Sequence, residues 1–365
     1  MIRLASIIDQ FEPDFLNTYQ GKILPSQFKA LQALKNCRTE YSPMMMRVSC
    51  ADCDHQVVVP HSCGHRHCPH CQHHESQQWI EQQVQKQLPA LYFMITFTMP
   101  RELRSLAWQH QKEVYNLMFQ SSWETLQSFS LTDKELKGVP GVVAVLHTHS
   151  RALNFHPHVH TVMPAAAIDK KNRLWRKKQG KYLFNHKALA KMFRAKILGG
   201  LVKLGITLPQ SYPEKWIVDC KSVGSGDKAL VYLGRYLYRG VIREKDILSC
   251  QDGQVTFRYI DSDSGKTQIR KVSAVKFLWL VLQHVLPRGF RRARNYGFLH
   301  PNSKTLIKLI HLLLKFDPTK WLPKSKPRPQ MKCECCGGVM MIVATRIKRE
   351  VKAVNPVLIQ RSMVF

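Results

Sequence analysis

Apolar residues recur at helical spacing near the start of the chain, where Phe28, Leu31 and Leu34 predict helix within residues 1–36. A polar, Gln-rich stretch over 74–88 predicts another helix, closed by Pro89. The pattern then changes. Leu91-Tyr92-Phe93-Met94-Ile95-Thr96-Phe97-Thr98 is β-branched and aromatic throughout, the signature of a buried strand, and Pro100 stops it. Amphipathic spacing over 102–129 predicts a long helix. The apolar run 142–146 and a strand beginning near His156 are separated by a short polar loop at 150–154, which predicts two adjacent antiparallel strands. Further on, 216–219 reads as a strand and Val223-Gly224-Ser225-Gly226 as a turn leading into a helix over 227–239. A hairpin follows over 255–259 and 267–269, turning at Asp263-Ser264-Gly265. A buried helix over 274–285 ends before Pro287. Paired strands with helices between them predict an α+β fold on a largely antiparallel sheet.

Two of these elements carry candidate chemistry. His156-Pro157-His158-Val159-His160 runs straight into the apolar Thr161-Val162-Met163, and alternate residues of a strand share a face, so three imidazoles line one side. Three nitrogen ligands leave room on a metal ion for a substrate oxygen. In the helix over 227–239, Tyr232 and Tyr236 stand four apart, about 40° around the axis, so their hydroxyls leave the same face. Phenols are weak nucleophiles because their ordinary pKa is about 10, and a neighbouring cation or metal strengthens them. Arg235 and Arg239 sit beside them as local positive charge or as holders of phosphate.

Charge narrows the partner. The chain of 365 residues has 55 Lys and Arg against 25 Asp and Glu, a formal charge of +30, which points to a polyanion, above all nucleic acid. The stretch 170–196 holds 11 basic residues and no acid, with Trp175 and Tyr182 interspersed. Arg288, Arg291, Arg292 and Arg294 alternate with Phe290 and Tyr296, a mixture of phosphate-binding and base-stacking groups suited to single-stranded DNA. Apolar runs are too short for a membrane span of about 20 residues. The first residues turn polar too soon for a secretory signal, so a cytoplasmic protein is expected. In that compartment the 11 cysteines are metal ligands or thiols rather than disulfides. Cys50-Ala51-Asp52-Cys53 and Cys68-Pro69-His70-Cys71 are two knuckles 14 residues apart, and together they predict one structural, all-thiolate zinc site. Its task would be to present Arg66 and its basic neighbours to DNA. Cys333, Cys335 and Cys336 form only half a knuckle and are not assigned to a metal.

These motifs, taken together, resemble a known family. The His-Pro-His-Val-His strand, the downstream Tyr232-Leu233-Gly234-Arg235-Tyr236-Leu237-Tyr238-Arg239, the upstream cysteine module with Cys63-Gly64-His65-Arg66-His67-Cys68, and Leu286-Pro287-Arg288-Gly289-Phe290-Arg291-Arg292 are similar to the two-tyrosine HUH transposases of rolling-circle insertion sequences. The resemblance covers most of the chain. It implies an HUH nuclease-like antiparallel sheet, with the His strand at its centre and the tyrosine helix packed across it. It further implies that His158 and His160 hold magnesium or manganese, with His156 the favoured third ligand and His147 or His149 the alternatives on the neighbouring strand. Tyr232 and Tyr236 would be the nucleophiles, forming a 5′-phosphotyrosine link to single-stranded DNA at element ends and target. On this basis the expected domains are a helical, zinc-binding region over 1–90, a catalytic domain over 91–325 and a basic tail over 326–365. A replication initiator or relaxase shares this chemistry, and from the residues alone a zinc hydrolase or a non-catalytic zinc-dependent DNA-binding protein competes with it.

Overall fold

The computed structural model describes residues 2–238, 240–261, 264–322 and 330–348. In chain order, α1 (Leu4–Tyr19) and α2 (Pro25–Lys35) precede β1 (Met44–Cys50) and β2 (Gln56–Pro60). Then come α3 (His73–Val84), β3 (Tyr92–Thr98), the short α4 (Arg104–Gln109) and the long α5 (Gln111–Thr132). The central strands are β4 (Val139–His149) and β5 (Phe155–Pro164), followed by β6 (Ala166–Asp169), β7 (Leu174–Lys177), α6 (His186–Lys203), β8 (Val218–Ser222) and α7 (Asp227–Tyr238). The chain continues through β9 (Ile247–Gln251), β10 (Gln254–Ile260), β11 (Thr267–Ser273), α8 (Ala274–Leu282), β12 (Ala293–Gly297), α9 (Lys304–Leu313) and β13 (Met340–Lys348).

These elements divide between two compact units, one drawn from Met1–Lys35 and His65–Ser325, the other from Asn36–Gly64 and Lys326–Phe365. The first is built on a sheet ordered β7-β6-β4-β5-β3-β8, with β12 also paired to β4; the pairings are antiparallel. Its strands are apolar on both faces because helices cover both. Phe93, Ile95, Phe97, Leu146 and Val159 join Tyr115 and Phe119 of α5 and Phe193 and Ile197 of α6 in one core. Tyr92, Val143, Val145 and Val162 face the other way, against Ile80 of α3, Leu230, Leu233 and Leu237 of α7, and Ile307 and Ile310 of α9. The apolar positions of α7 recur every three to four residues and make the stripe that seats it on this second face. Gly234 allows α3 to approach closely: a Cβ there would lie 2.3 Å from Ile80 Cγ1. A smaller sheet, β11-β10-β9, packs on α8 through Phe257 and Phe277. The stacked rings of Tyr19 and Trp279 join α1 to the same helix.

The mixed architecture on antiparallel sheets agrees with the pattern of apolar positions; several boundaries do not. The helical region 1–36 is divided into two helices, broken where Gly21 takes φ +79°. The long helix over 102–129 is interrupted at His110, whose φ of −121° lies outside the helical range.

In the second unit β1 is flanked by β2 and β13, both antiparallel. The expectation of a basic tail over 326–365 is therefore corrected: its described residues 330–348 supply a strand to a sheet whose other strands lie some 290 positions earlier. The continuous apolar run Met340-Met341-Ile342-Val343 suits a strand, and the basic residues that follow it hid this signal. The core here is small: Val48, Cys50, Cys333 and Met340, with Met46, Cys53 and Val59 packed against them.

Candidate active site

Strand register creates the histidine cluster. On β5, His158 and His160 alternate with Val159, which enters the α5 core, so both imidazoles face α7. On β4, His147 lies directly opposite His158, and directly opposed residues share a face. One nitrogen from each of His147, His158 and His160 falls within 4.8 Å of the others, the reach needed for three ligands on one ion at about 2.0–2.1 Å each. A register shift between His147 and His149 takes His149 out of this set.

The hydrogen bonds fix which nitrogens are available. His158 Nδ1 donates to the His156 carbonyl at 2.6 Å, and His160 Nδ1 pairs with Thr96 Oγ1 at 2.9 Å, leaving Nε2 of each ring to a ligand. His147 Nε2 is buried with no hydrogen-bond partner. That orphaned atom, aimed into a cluster of imidazoles, is the strongest sign that the residues fit a bound cation. Burial lowers the pKa of all three rings, His160 to about 4 and His147 and His158 well below the ordinary value of 6.5, with neighbouring imidazoles lowering the latter two further. Neutral imidazoles are what a metal requires.

His156, the favoured third ligand in the sequence, is not part of the cluster. The Arg104 guanidinium can only donate, so His156 Nδ1 accepts from Arg104 Nη2, and that lone pair is engaged. The imidazole that the fold brings to His158 and His160 is that of His147.

The tyrosines of α7 meet this cluster, and the two differ. Tyr232 is 46% exposed, with its ring 6.0 Å from those of both His147 and His160, perpendicular to the latter. Burial and the neighbouring Tyr236 raise its pKa above the ordinary phenol value. Tyr236 is inserted instead. Its ring stacks on His147 at 3.2 Å, its hydroxyl oxygen accepts from the Thr148 N–H at 3.2 Å, and the Arg292 guanidinium lies 4.4 Å above it. Arg292 is buried, donates from Nε to the Leu146 carbonyl at 3.2 Å, and keeps Nη1 without a partner.

The basic residues divide. Arg235, Arg288 and Arg291 are exposed; Arg239 lies outside the described residues. Arg66 is exposed yet donates to the Phe290 carbonyl at 3.2 Å. The expectation of a stacking groove over 288–296 is corrected: Phe290 is buried, Tyr296 stacks on Trp123, and Arg294 lies over Phe119 while donating to Asn116. Of that run, Arg288 and Arg291 are the arginines exposed to solvent. In the stretch 170–196, Arg176 is held by Asp169 at 2.9 Å, whereas His186, Lys187, Lys191 and Arg194 line a cleft of about 730 Å³ with Trp216.

The two cysteine knuckles are not brought together in one set of four. Cys50 and Cys53 find Cys333 and Cys336, not Cys68 and Cys71, as the partners that complete a set of four thiols. Cys68 and Cys71 belong to the first unit, where both are buried. Spacing within a sequence cannot show a pairing across some 280 residues.

Comparison with known proteins identifies the family. Residues 141–305, which contain the His strand and the tyrosine helix, match the family described as "Putative transposase", and residues 7–99 match the "Transposase zinc-binding domain". The chain is 31% identical over 297 residues to "Putative transposase y4qJ" of Sinorhizobium fredii, covering 75% of this chain and 74% of that one. It is 26% identical over 342 residues to the transposase for insertion sequence element IS801 of Pseudomonas savastanoi pv. phaseolicola, covering 83% and 80%. The chain belongs to this family of two-tyrosine insertion-sequence transposases with a zinc-binding domain. Among solved structures, the conjugative relaxase TrwC in complex with OriT DNA overlaps 62% of this chain and 72% of its own at 15% identity, with a TM-score of 0.28, too loose an overlap to build on. Among the described residues no helix is long and apolar enough to cross a membrane.

Proposed function

We propose that this transposase nicks and rejoins single-stranded DNA by transesterification through tyrosine, with His147, His158 and His160 holding a divalent cation. The observation that carries the reading is the approach of both tyrosine rings of α7 to His147, one of three clustered, neutral imidazoles. In the forward step a phenol oxygen bonds to the scissile phosphorus, the bond from phosphorus to the 3′ oxygen breaks, and the phenol proton ends on the freed 3′-hydroxyl. Attack of a 3′-hydroxyl on the phosphotyrosine reverses the exchange, so rejoining consumes no nucleotide cofactor. A bound divalent ion supplies Lewis acidity to the phosphate oxygens. We assign magnesium or manganese, although an all-imidazole set also suits zinc or nickel, so the ion preference is itself a readout.

The chain's own groups do the rest. Tyr232, exposed beside the cluster, is the first nucleophile; Tyr236 must leave its place between His147 and Arg292 before it reacts. Arg292, a buried guanidinium with one unpartnered nitrogen, offsets negative charge near that ring. Exposed Arg235, Arg288 and Arg291 bind the strand's phosphates. The test incubates the protein with manganese and a labelled single-stranded element end, then maps any peptide bearing DNA by mass spectrometry. A covalent adduct on Tyr232 is expected, lost in Tyr232→Phe and retained for the first cleavage in Tyr236→Phe. An adduct that persists in the Tyr232→Phe/Tyr236→Phe double variant refutes the assignment. The alternative of a replication initiator has less support, because the relatives that match over most of this chain are transposases.

A further inference from the structure

Four thiols of the second unit, Cys50, Cys53, Cys333 and Cys336, stand apart from the nuclease chemistry, and Cys333 and Cys336 lie outside the matched zinc-binding segment, which ends at residue 99. Their sulfurs are 3.4 Å apart for Cys50 and Cys336, 3.6 Å for Cys53 and Cys336, and 3.8 Å for Cys53 and Cys333. A disulfide would bring two of them to about 2.05 Å, whereas a tetrahedron with metal–sulfur bonds of about 2.3 Å spaces its sulfurs about 3.8 Å apart. The backbone is shaped to the same end. Asp52 N–H points at Cys50 Sγ at 3.4 Å, and the 333–338 turn closes through Gly337 N–H to the Cys333 carbonyl at 2.9 Å and Cys333 N–H to the Gly338 carbonyl at 2.8 Å. Gly338 lets this turn press against the 50–53 turn: a Cβ there would sit 2.1 Å from the Asp52 carboxylate.

Apolar burial does little to hold β13 in place. Met341, Ile342 and Val343 are each more than half exposed, and the core beneath the strand consists largely of the cysteines themselves with Val48 and Met340. A unit this small usually needs a staple. We infer that Cys50, Cys53, Cys333 and Cys336 bind one structural zinc ion that fastens the 330–348 segment to the β1–β2 hairpin, making one zinc-bound sheet from segments about 280 residues apart in sequence.

The test uses the full-length chain loaded with zinc. Elemental analysis by mass spectrometry is expected to find one zinc equivalent fewer in the Cys333→Ser/Cys336→Ser variant than in the wild type. Amide exchange over 340–348 should be at least about tenfold faster in that variant, as for a segment that opens locally. Should the variant fold poorly, the wild type decides the matter. Cys50, Cys53, Cys333 and Cys336 should resist alkylation until a chelator is added, while exposed Cys335 labels throughout. Equal zinc content in the two proteins overturns the inference. So does labelling of Cys333 and Cys336 at the rate of Cys335 in zinc, or protection that yields to a reductant rather than to a chelator.

Discussion

His147 sits where the contacts of the histidine cluster and the tyrosine helix converge. It opposes His158 across the sheet, stacks under Tyr236 and keeps one buried nitrogen without a partner. Replacing it should therefore do what replacing His156 does not. His147→Ala is expected to weaken manganese binding by at least about tenfold, whereas His156→Ala, which removes only the acceptor for Arg104, should leave it within about twofold. Isothermal titration measures both, and equal losses would return His156 to the ligand set. The same rings make stability depend on pH. His147, His149, His156, His158, His160 and His284 all have folded pKa values below the ordinary 6.5, chiefly through burial. Between about pH 6.5 and 4 the unfolded chain binds more protons, so stability must fall as the solution becomes more acid. The melting temperature of the chelated protein should drop steadily from pH 7 to pH 5; a level profile would mean these rings are solvated. His158 and His160 were legible in the sequence because period two needs only one strand. That His147 joins them was not, since it depends on which residue of β4 lies opposite, and the register places His147 against His158.

At the scale of elements, α7 is the part whose placement matters most. Its apolar stripe could be read from the sequence, and so could the shared face of Tyr232 and Tyr236. That one ring would be inserted and the other open could not, because Arg292 and Thr148 arrive from distant positions. The seating of α7 against α3 leaves no room at Gly234. Gly234→Val should cost about 1–3 kcal/mol by overpacking, and because α7 would shift, nicking should fall with it. Urea denaturation measures the first effect and gel assays the second; an unchanged midpoint would show that Ile80 and Trp79 yield freely. The helix over 227–239 and the strand over 91–98 fell close to their observed bounds because both are long and strongly patterned. The break at His110 has no such signal in local composition.

For the whole molecule, the excess of 30 positive charges is distributed unevenly in its effect. Arg288 and Arg291 face solvent, while Arg292 and Arg294 are committed to Tyr236, Phe119 and Phe290. The double variant Arg288→Ala/Arg291→Ala should lower the slope of log affinity against log salt by about 1–2. Arg294→Ala should leave that slope alone and instead reduce stability by about 1 kcal/mol, the worth of a guanidinium over an aromatic face. Fluorescence anisotropy across a salt series separates the two, and a slope lowered equally by both would place Arg294 on the DNA. Sequence alone weighted these arginines equally because charge is visible there and burial is not.

The pairing of β1 with β13 has one more consequence. A copy of the gene whose reading frame closed before residue 340 would still encode the whole histidine cluster and both tyrosines of α7. It would nevertheless leave one flank of β1 with bare amides and carbonyls, the kind of surface along which proteins clump. Such a remnant would be lost from the cell to aggregation or degradation although its histidine cluster and tyrosine helix were encoded in full.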